Sequence, residues 1–337
     1  MDTSLGLTEL PHKMTKELML EVAYYGQNQS SFADASSMLK RGLGIEVNKE
    51  TMREITETIG SMVYEADTRK AEHMLNNMHE IEMLTESEKA DITLYIMTDG
   101  ACVNTRVEEE NGSTWRENKT VIVFTNKDMI KRQDGGNIIV KKEYAALIGS
   151  AEEFRGHVLN VAVKAGYGKV KKVVVIADGA AWIRNMFSEL FPDAVQILDL
   201  YHLKENIYIY TYAKWKFAQN EQKYVPWAED IIAEIENGKA AEALEQISES
   251  ENFPAGTVNL RTYIQNNIDK IDYPKYKENG FFVGSGAIES ANKIIVQRRL
   301  KQAGMRWSVL GAQALLSLRA KVESNLWEKD VKPLLTA

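Results

Sequence analysis

Two acidic residues follow apolar, β-branched segments of the sequence in the same way. Residues 92–98 are followed by Asp99 and a glycine, and residues 170–177 by Asp178 and a glycine. Each segment predicts a strand, and open α/β folds place their sites at the carboxyl ends of strands. If the strands are neighbours, the two carboxylates meet and supply the oxygen ligands that Mg²⁺ prefers. Asp-Gly is also ordinary turn chemistry, which is the alternative interpretation of either acid alone.

A third acid precedes a basic stretch of sequence. Glu289 lies in the first turn of a helix predicted to begin near Ser285, where an acid also complements the helix dipole. Basic residues begin four positions later, at Lys293. An acid beside cations on one helix suits a metal site with a polyanionic substrate, in which two cations about 3.5–4 Å apart assist an in-line phosphoryl displacement.

Net charge argues against a DNA-coating protein, but the charge is unevenly distributed. The chain of 337 residues carries a net charge of −7, yet residues 290–321 contain no acid. The basic residues of this stretch are Lys293, Arg298, Arg299, Lys301, Arg306, Arg319 and Lys321. A local basic stripe predicts phosphate contacts, and a solvated helix face is the alternative.

The first ninety residues predict helices. Apolar spacing over residues 12–27 and 31–40, a glycine turn ending at Gly44, and Asn48 as an N-cap suggest a helix-turn-helix. Residues 49–60 would then be its recognition helix. A generic helical hairpin is the alternative interpretation.

A different pattern follows, in which strands precede alternating helices and strands. We predict strands over 92–98, 119–125, 137–141, 170–177 and 195–198, with helices over 150–166 and 181–190 between the last three. This order is that of a ribonuclease-H-like α/β core, a mixed sheet with flanking helices, and it also suits open α/β sheets of other kinds. After it we predict a mainly helical region over 202–270 with breaks at Pro226 and 252–254, a helix over 285–300, and an amphipathic helix over 308–326.

Four blocks of sequence carry a resemblance to a known family. They are residues 176–183 (IADGAAWI), 199–203 (DLYHL), 284–293 (GSGAIESANK) and 297–307 (QRRLKQAGMRW). With Asp99, Asp178 and Glu289 they resemble the Asp-Asp-Glu transposases of bacterial insertion sequences, in the group whose type member is the Lre-two element, akin to Mutator-like transposases. The likeness covers nearly the whole chain, and the last two blocks are the most specific.

The resemblance implies a DNA transposase that cleaves transposon ends and joins the freed 3′-hydroxyl to target DNA. Asp99, Asp178 and Glu289 would be its catalytic residues and the ligands of two Mg²⁺ ions, with Mn²⁺ as a substitute. The partners implied are double-stranded DNA, as terminal repeats and target, and a second copy of the chain in a homodimer. The segments implied are a helical DNA-binding segment over 1–90, a core over 91–201 and 281–337, and a helical insertion over 202–280.

Further site residues are expected around these acids. Asp199 and His202 form an Asp-x-x-His pair similar to a signature of the Mutator-like relatives, with DNA orientation or bracing of the site as its role; a structural histidine is the alternative. Trp307 is expected to stack on an exposed base or to lie in the core. The expected phosphate contacts are Lys293, Arg298, Arg299, Lys301, Arg306 and, more weakly, Lys119.

Other function classes differ in the residues that they require. A haloacid-dehalogenase phosphohydrolase needs a second Asp where Ala101 stands. A ribonuclease-H-like nuclease shares the chemistry but lacks the sequence context of Glu289. A truncated or repurposed transposase that binds DNA without activity stays open, because longer relatives begin with a further N-terminal region. The one cysteine, Cys102, excludes an intramolecular disulfide and is expected to be a packed thiol. Without a signal or membrane span, a cytoplasmic, nucleoid-associated protein is expected.

Overall fold

The computed structural model describes residues 11–109, 112–133, 136–216, 221–247 and 258–336. The strands are β1 (Ala90–Asn104), β2 (Trp115–Thr125), β3 (Met129–Lys131), β4 (Asn137–Ile139), β5 (Glu143–Leu147), β6 (Val170–Ala177) and β7 (Val195–Leu198). The α-helices are α1 (Lys16–Asn28), α2 (Phe32–Leu43), α3 (Lys49–Asn76), α4 (Ala151–Lys164), α5 (Ala181–Leu190), α6 (Leu200–Lys216), α7 (Glu221–Glu236), α8 (Ala240–Glu245), α9 (Leu260–Gln265), α10 (Tyr273–Glu278), α11 (Gly286–Asn292), α12 (Arg298–Leu300), α13 (Val309–Glu323) and α14 (Pro333–Thr336).

Five of these strands form one mixed sheet. Its order is β5-β2-β1-β6-β7, with β2 antiparallel to β5 and β6 parallel to β7. The predicted fold class, an α/β protein with a mixed sheet and flanking helices, is confirmed. In this order β1, which contains Asp99, adjoins β6, which precedes Asp178.

Two strands differ from the prediction in their place or their bounds. The segment 137–141 does not join the main sheet, since β4 pairs only with β3 in a separate hairpin. The buried segment β5 takes the expected place beside β2 instead. Strand β1 also continues through Asp99 and its following glycine to Asn104, so Asp99 lies within a strand and not at its end. Thr105 N donates to Thr114 O at 2.7 Å where β1 and β2 meet, and this pairing overrides the local Asp-Gly turn signal.

The N-terminal helices have the predicted caps. Asn48 Oδ1 accepts from Glu50 N and Thr51 N, at 3.0 and 2.9 Å. Gly44 closes α2 with a φ of 71°. Helix α3 nevertheless continues without a break to Asn76, and it buries much of the segment predicted to read DNA. The exposed positions of that segment include Lys49, Glu50 and Glu54, and both acids lie within ion-pair distance of Arg53.

The insertion region is mainly helical, as predicted, from α6 to α10. Pro226 does not break it but lies inside α7, in the second turn. The predicted break at 252–254 falls outside the described residues. No described helix is both long and apolar enough to cross a membrane.

The chain divides into two compact units whose boundaries differ from the predicted segments. Unit 1 comprises Met1–Leu94, Thr98–Lys171 and Ala287–Ala337, and unit 2 comprises Tyr95–Met97 and Lys172–Gly286. In unit 1 the N-terminal helices share a core with the C-terminal helix α13. The N-terminal segment therefore packs as part of unit 1.

Helix α13 is buried on all sides over most of its length, so the amphipathic prediction is wrong. It packs between α3 and β5, and Gln313 links it to the sheet. The Gln313 side chain accepts from Ile148 N at 2.8 Å and donates to Ala146 O at 3.1 Å. Gly60 of α3 lies so close to α13 that a Cβ there would stand 2.4 Å from Ala314 O.

Gly60→Ala is therefore expected to destabilise unit 1 by about 1–3 kcal/mol, because the obstructing atom is backbone and cannot move aside. The free energy of unfolding in urea measures this effect. Gly42→Ala is the matched control: Gly42 lies on exposed α2, where a Cβ meets only the flexible Tyr25 hydroxyl at 3.1 Å. If Gly42→Ala lowers the free energy of unfolding as much as Gly60→Ala does, the close-packing explanation is contradicted.

Candidate functional site

The first element of the candidate site is an acid held by an amide within unit 1. Asp99 Oδ2 accepts from Asn292 Nδ2 at 2.7 Å, and Asp99 Oδ1 accepts from Gly100 N at 2.7 Å. Asn292 is the last residue of α11, three positions after Glu289, so both side chains lie on one side of that helix. Sequence reasoning missed Asn292, although its spacing of three from Glu289 was a usable signal.

The other amide atom of Asn292 has no hydrogen-bond partner among the described residues. Asn292 is 4% exposed, and its Oδ1 is buried without a donor. Leaving a buried acceptor unsatisfied costs about 1–3 kcal/mol. Reversing the amide would place its oxygen against the Asp99 carboxylate, so the hydrogen bond favours the orientation in which Nδ2 faces Asp99. An amide oxygen beside a carboxylate is the type of donor set that suits a hard divalent cation.

Asp178 occupies a fixed loop of unit 2 at the carboxyl end of β6, as predicted. Its Oδ1 accepts from Ala180 N at 2.8 Å, which forms an Asx turn. Gly179 has a φ of 85°, and a Cβ there would stand 2.7 Å from Leu198 Cδ1. Tyr263 of α9 donates its hydroxyl to Asp178 O at 2.7 Å, so the helical insertion helps to hold this loop. Burial raises the pKa of the Tyr263 hydroxyl, which therefore stays a donor at neutral pH.

The three predicted acids belong to different parts of the fold. Asp99 and Glu289 belong to unit 1, and Asp178 belongs to unit 2. In the described part of the chain, no three His, Cys, Asp or Glu side chains stand together closely enough to hold a metal ion. The carboxylate donors of the three acids are of the type that Mg²⁺ prefers.

The Asp-x-x-His pair is tightly held within unit 2. Asp199 is fully buried and accepts from both Ser285 N, at 2.9 Å, and the Ser285 hydroxyl. His202 Nε2 lies 3.6 Å from Asp199 Oδ2, and His202 Nδ1 lies 3.4 Å from Glu205 Oε2. Because Ser285 directly precedes α11, this geometry favours bracing over DNA contact for Asp199.

The basic stripe separates into exposed and buried members. Lys293, Arg298, Lys301 and Arg306 are exposed. Arg299 is buried, with its guanidinium 4.4 Å from the Phe32 ring centroid and 5.0 Å from that of Trp307, and Nε donates to Gly26 O at 3.1 Å. The prediction of a phosphate contact at Arg299 is therefore wrong in this structure.

Two other predicted DNA contacts are corrected for the same reason. Trp307 is 7% exposed and donates its indole N–H to Leu300 O at 3.1 Å, so the core alternative holds and the stacking role does not. Lys119 is buried, and its Nζ donates to Glu117 Oε2 at 2.7 Å and to Gly149 O at 2.9 Å. The prediction for Cys102 is wrong in the opposite sense, because the thiol expected to be packed is exposed.

A buried arginine supports the helix that follows Glu289. Between α11 and α12 the backbone forms a π-helical turn, Lys293–Gln297, and such turns leave carbonyl groups in need of donors. Arg319 Nε donates to Ile294 O at 2.9 Å and to Ile295 O at 3.0 Å. Arg319 Nη1 donates to Gln27 O at 2.9 Å, which links the turn to α1. Burial lowers the pKa of Arg319 to about 10, so the group stays charged at neutral pH.

Comparison with known proteins identifies a family without assigning a function. The model of an uncharacterised protein family (UPF0236) matches residues 12–331. No curated protein matches the chain.

Arg299→Met is expected to lower the free energy of unfolding by about 1–3 kcal/mol, because Gly26 O then loses its donor inside the core. Arg298→Met removes the same charge from the adjacent exposed position. It should change the free energy of unfolding by no more than about 0.5 kcal/mol. Urea unfolding of both variants measures the difference. Equal losses would show that Arg299 does not support the core.

Proposed function

The chain belongs to the uncharacterised protein family UPF0236, and we propose that it is a metal-dependent DNA transposase. In this proposal Asp99, Asp178 and Glu289 are the catalytic acids. The reaction is hydrolysis of a phosphodiester at the end of a transposable element, followed by transfer of the freed 3′-hydroxyl to target DNA. The active form proposed is a homodimer that holds two ends together.

The observation that carries the proposal is the Asp99–Asn292 hydrogen bond of 2.7 Å. It joins one predicted acid to the helix that bears another, Glu289, and it leaves a buried amide oxygen without a donor beside a carboxylate. Both predicted acids of unit 1 are thus tied to one element. Lys293 follows Asn292 directly and is exposed, so cations begin next to the acids.

The chemistry assigned to the residues follows from their atoms. Asp99, Asp178, Glu289 and the Asn292 amide oxygen would hold Mg²⁺ or Mn²⁺, which supplies Lewis-acid stabilisation and an activated nucleophile. Asn292 holds the Asp99 carboxylate in one orientation by donating to Oδ2. The Asx turn at Asp178 fixes the backbone around that acid. No nucleophilic side chain is required, because water and then a DNA hydroxyl attack phosphorus.

Four exposed cations would position the DNA backbone beside the acids: Lys293, Arg298, Lys301 and Arg306. Phosphate contacts fix orientation without reading sequence. Lys301 Nζ lies 5.9 Å from the Trp115 ring centroid, and the half-exposed Trp115 is an aromatic neighbour for DNA. Arg299 and Trp307, which are buried, have no place in this contact surface.

A transposase-derived DNA-binding protein without activity is the second candidate. The observation in its favour is that no metal-holding group of three His, Cys, Asp or Glu side chains occurs among the described residues. Both candidates share the exposed cations, so DNA binding does not separate them. Cleavage does.

Cleavage of a labelled duplex carrying the terminal repeats that flank the gene tests the proposal. We expect cutting at the repeat boundary with Mg²⁺ or Mn²⁺ and none with EDTA, and loss of cutting in Asp99→Asn, Asp178→Asn and Glu289→Gln. Asp193→Asn, at an exposed loop position, is the matched control and should cut normally. Metal-independent cutting, or full activity in the acid variants, would overturn the assignment; binding without cutting would support the second candidate.

Asn292→Ala is expected to raise the half-saturating Mg²⁺ concentration for cleavage about 10–100-fold, which is the usual effect of removing a residue that orients a metal ligand. DNA affinity in EDTA should not change, because Asn292 is buried. Ser290→Ala, on an exposed position of the same helix, is the control. A change in DNA affinity without a change in metal dependence would refute the positioning role.

A further inference from the structure

Unit 2 contains a basic groove whose lining includes none of the proposed catalytic acids. It is a cavity of about 730 Å³ formed by α5, the beginning of β7, the 3₁₀ turn Ile268–Lys270 and α10. A volume of this size is typical of ligand sites. The groove lies beside the amino ends of β6 and β7, whereas Asp178 follows the carboxyl end of β6. It is therefore a separate site within unit 2.

The lining of the groove is strongly positive. It contains Lys172, Arg184, Lys270 and Lys275 and a single carboxylate, that of Asp269. In the described ranges, no carboxylate lies within ion-pair distance of any of these four cations. The four positive charges are therefore largely uncompensated.

Partial burial makes the charge of one of these cations, Lys270, costly. Burial lowers the pKa of Lys270, the Asp269 carboxylate offsets part of this effect, and the Arg184 guanidinium lowers the pKa further. Two cations thus stand close enough to repel each other in a partly desolvated place. A negatively charged ligand would relieve both the repulsion and the desolvation.

Hydrogen bonds also connect the elements that form the groove. The Tyr276 hydroxyl donates to Asp269 O at 3.2 Å and to Gln196 O at 3.4 Å, which holds α10 against the 3₁₀ turn and β7. Gln196 Nε2 donates to Ser188 Oγ at 2.9 Å, which connects β7 to α5. The elements that carry the cations are therefore linked to one another by hydrogen bonds.

We infer that this groove binds the phosphodiester backbone of DNA, as a second contact surface of the proposed transposase. The cations stand on four separate elements, with Lys172 and Lys275 exposed and Arg184 and Lys270 half-buried. That distribution suits a row of phosphates better than one small anion. The side chains of Asn185, Ser188 and Asn279 add neutral hydrogen-bonding groups to the same surface. The inference rests on the proposed function for its ligand.

The salt dependence of DNA binding tests the inference. Binding of the full chain to a fluorescent duplex is measured by anisotropy in EDTA, so that cleavage plays no part. Lys270→Gln and Lys275→Gln should each reduce the slope of log affinity against log salt by about 1, and weaken binding about tenfold at 0.1 M salt. Thermal unfolding of each variant confirms that it is folded.

Lys277→Gln is the matched control for Lys275→Gln. It lies on the same helix, removes the same charge, and its Nζ pairs with Glu236 at 3.3 Å outside the groove. We expect its slope to equal that of the wild type. Equal slopes in the groove variants and the wild type would overturn the inference.

Two further outcomes separate this inference from the proposed function. If the wild type cleaves DNA and the groove variants bind and cleave normally, the groove assignment alone fails. If DNA binding depends on the groove but no metal-dependent cleavage occurs, the proposed reaction alone fails. Loss of nucleoside triphosphate binding in Lys270→Gln, with an unchanged DNA slope, would assign the groove to a small phosphate ligand and overturn the inference.

Discussion

The burial of two guanidinium groups is the constraint on which the helix carrying Glu289 depends. Burial lowers the pKa of Arg299 and of Arg319 to about 10, so both remain cations inside unit 1 at neutral pH. A buried charge is tolerated only where hydrogen bonds or ring faces replace water. Carbonyls of α1 and of the π-helical turn provide those partners for Arg319, and Gly26 O and two aromatic rings provide them for Arg299.

This arrangement explains why the N-terminal helices belong to the same compact unit as the C-terminal ones. The residues before 94 pack as part of unit 1, where their carbonyls accept from arginines that lie nearly three hundred residues later. One of them, Arg319, also holds the π-helical turn directly after Asn292. Asn292 in turn orients Asp99. Stability and the proposed chemistry therefore share one set of contacts in unit 1.

The features that the sequence predicted correctly depend on neighbouring residues. Asn48 caps its helix as expected, because its side chain and a backbone N–H three positions away settle the geometry. The errors arise from distant contacts. Pairing with β2 carries β1 past Asp99, and α3 and β5 bury both faces of α13. Arg299 resembles Arg298 in sequence, and only the tertiary fold separates the buried cation from the exposed one.

Iron-directed cleavage of the protein tests the central claim, that the three acids hold one metal centre, most directly. Fe²⁺ bound in place of Mg²⁺, with ascorbate and peroxide, cuts the polypeptide near the bound ion, and mass spectrometry locates the cuts. If the acids share one centre, we expect cuts close to Asp99, Asp178 and Glu289 together, suppressed by excess Mg²⁺ and lost in Asp99→Asn. Cuts confined to other segments, or cuts at one acid alone that Mg²⁺ does not suppress, would contradict the claim.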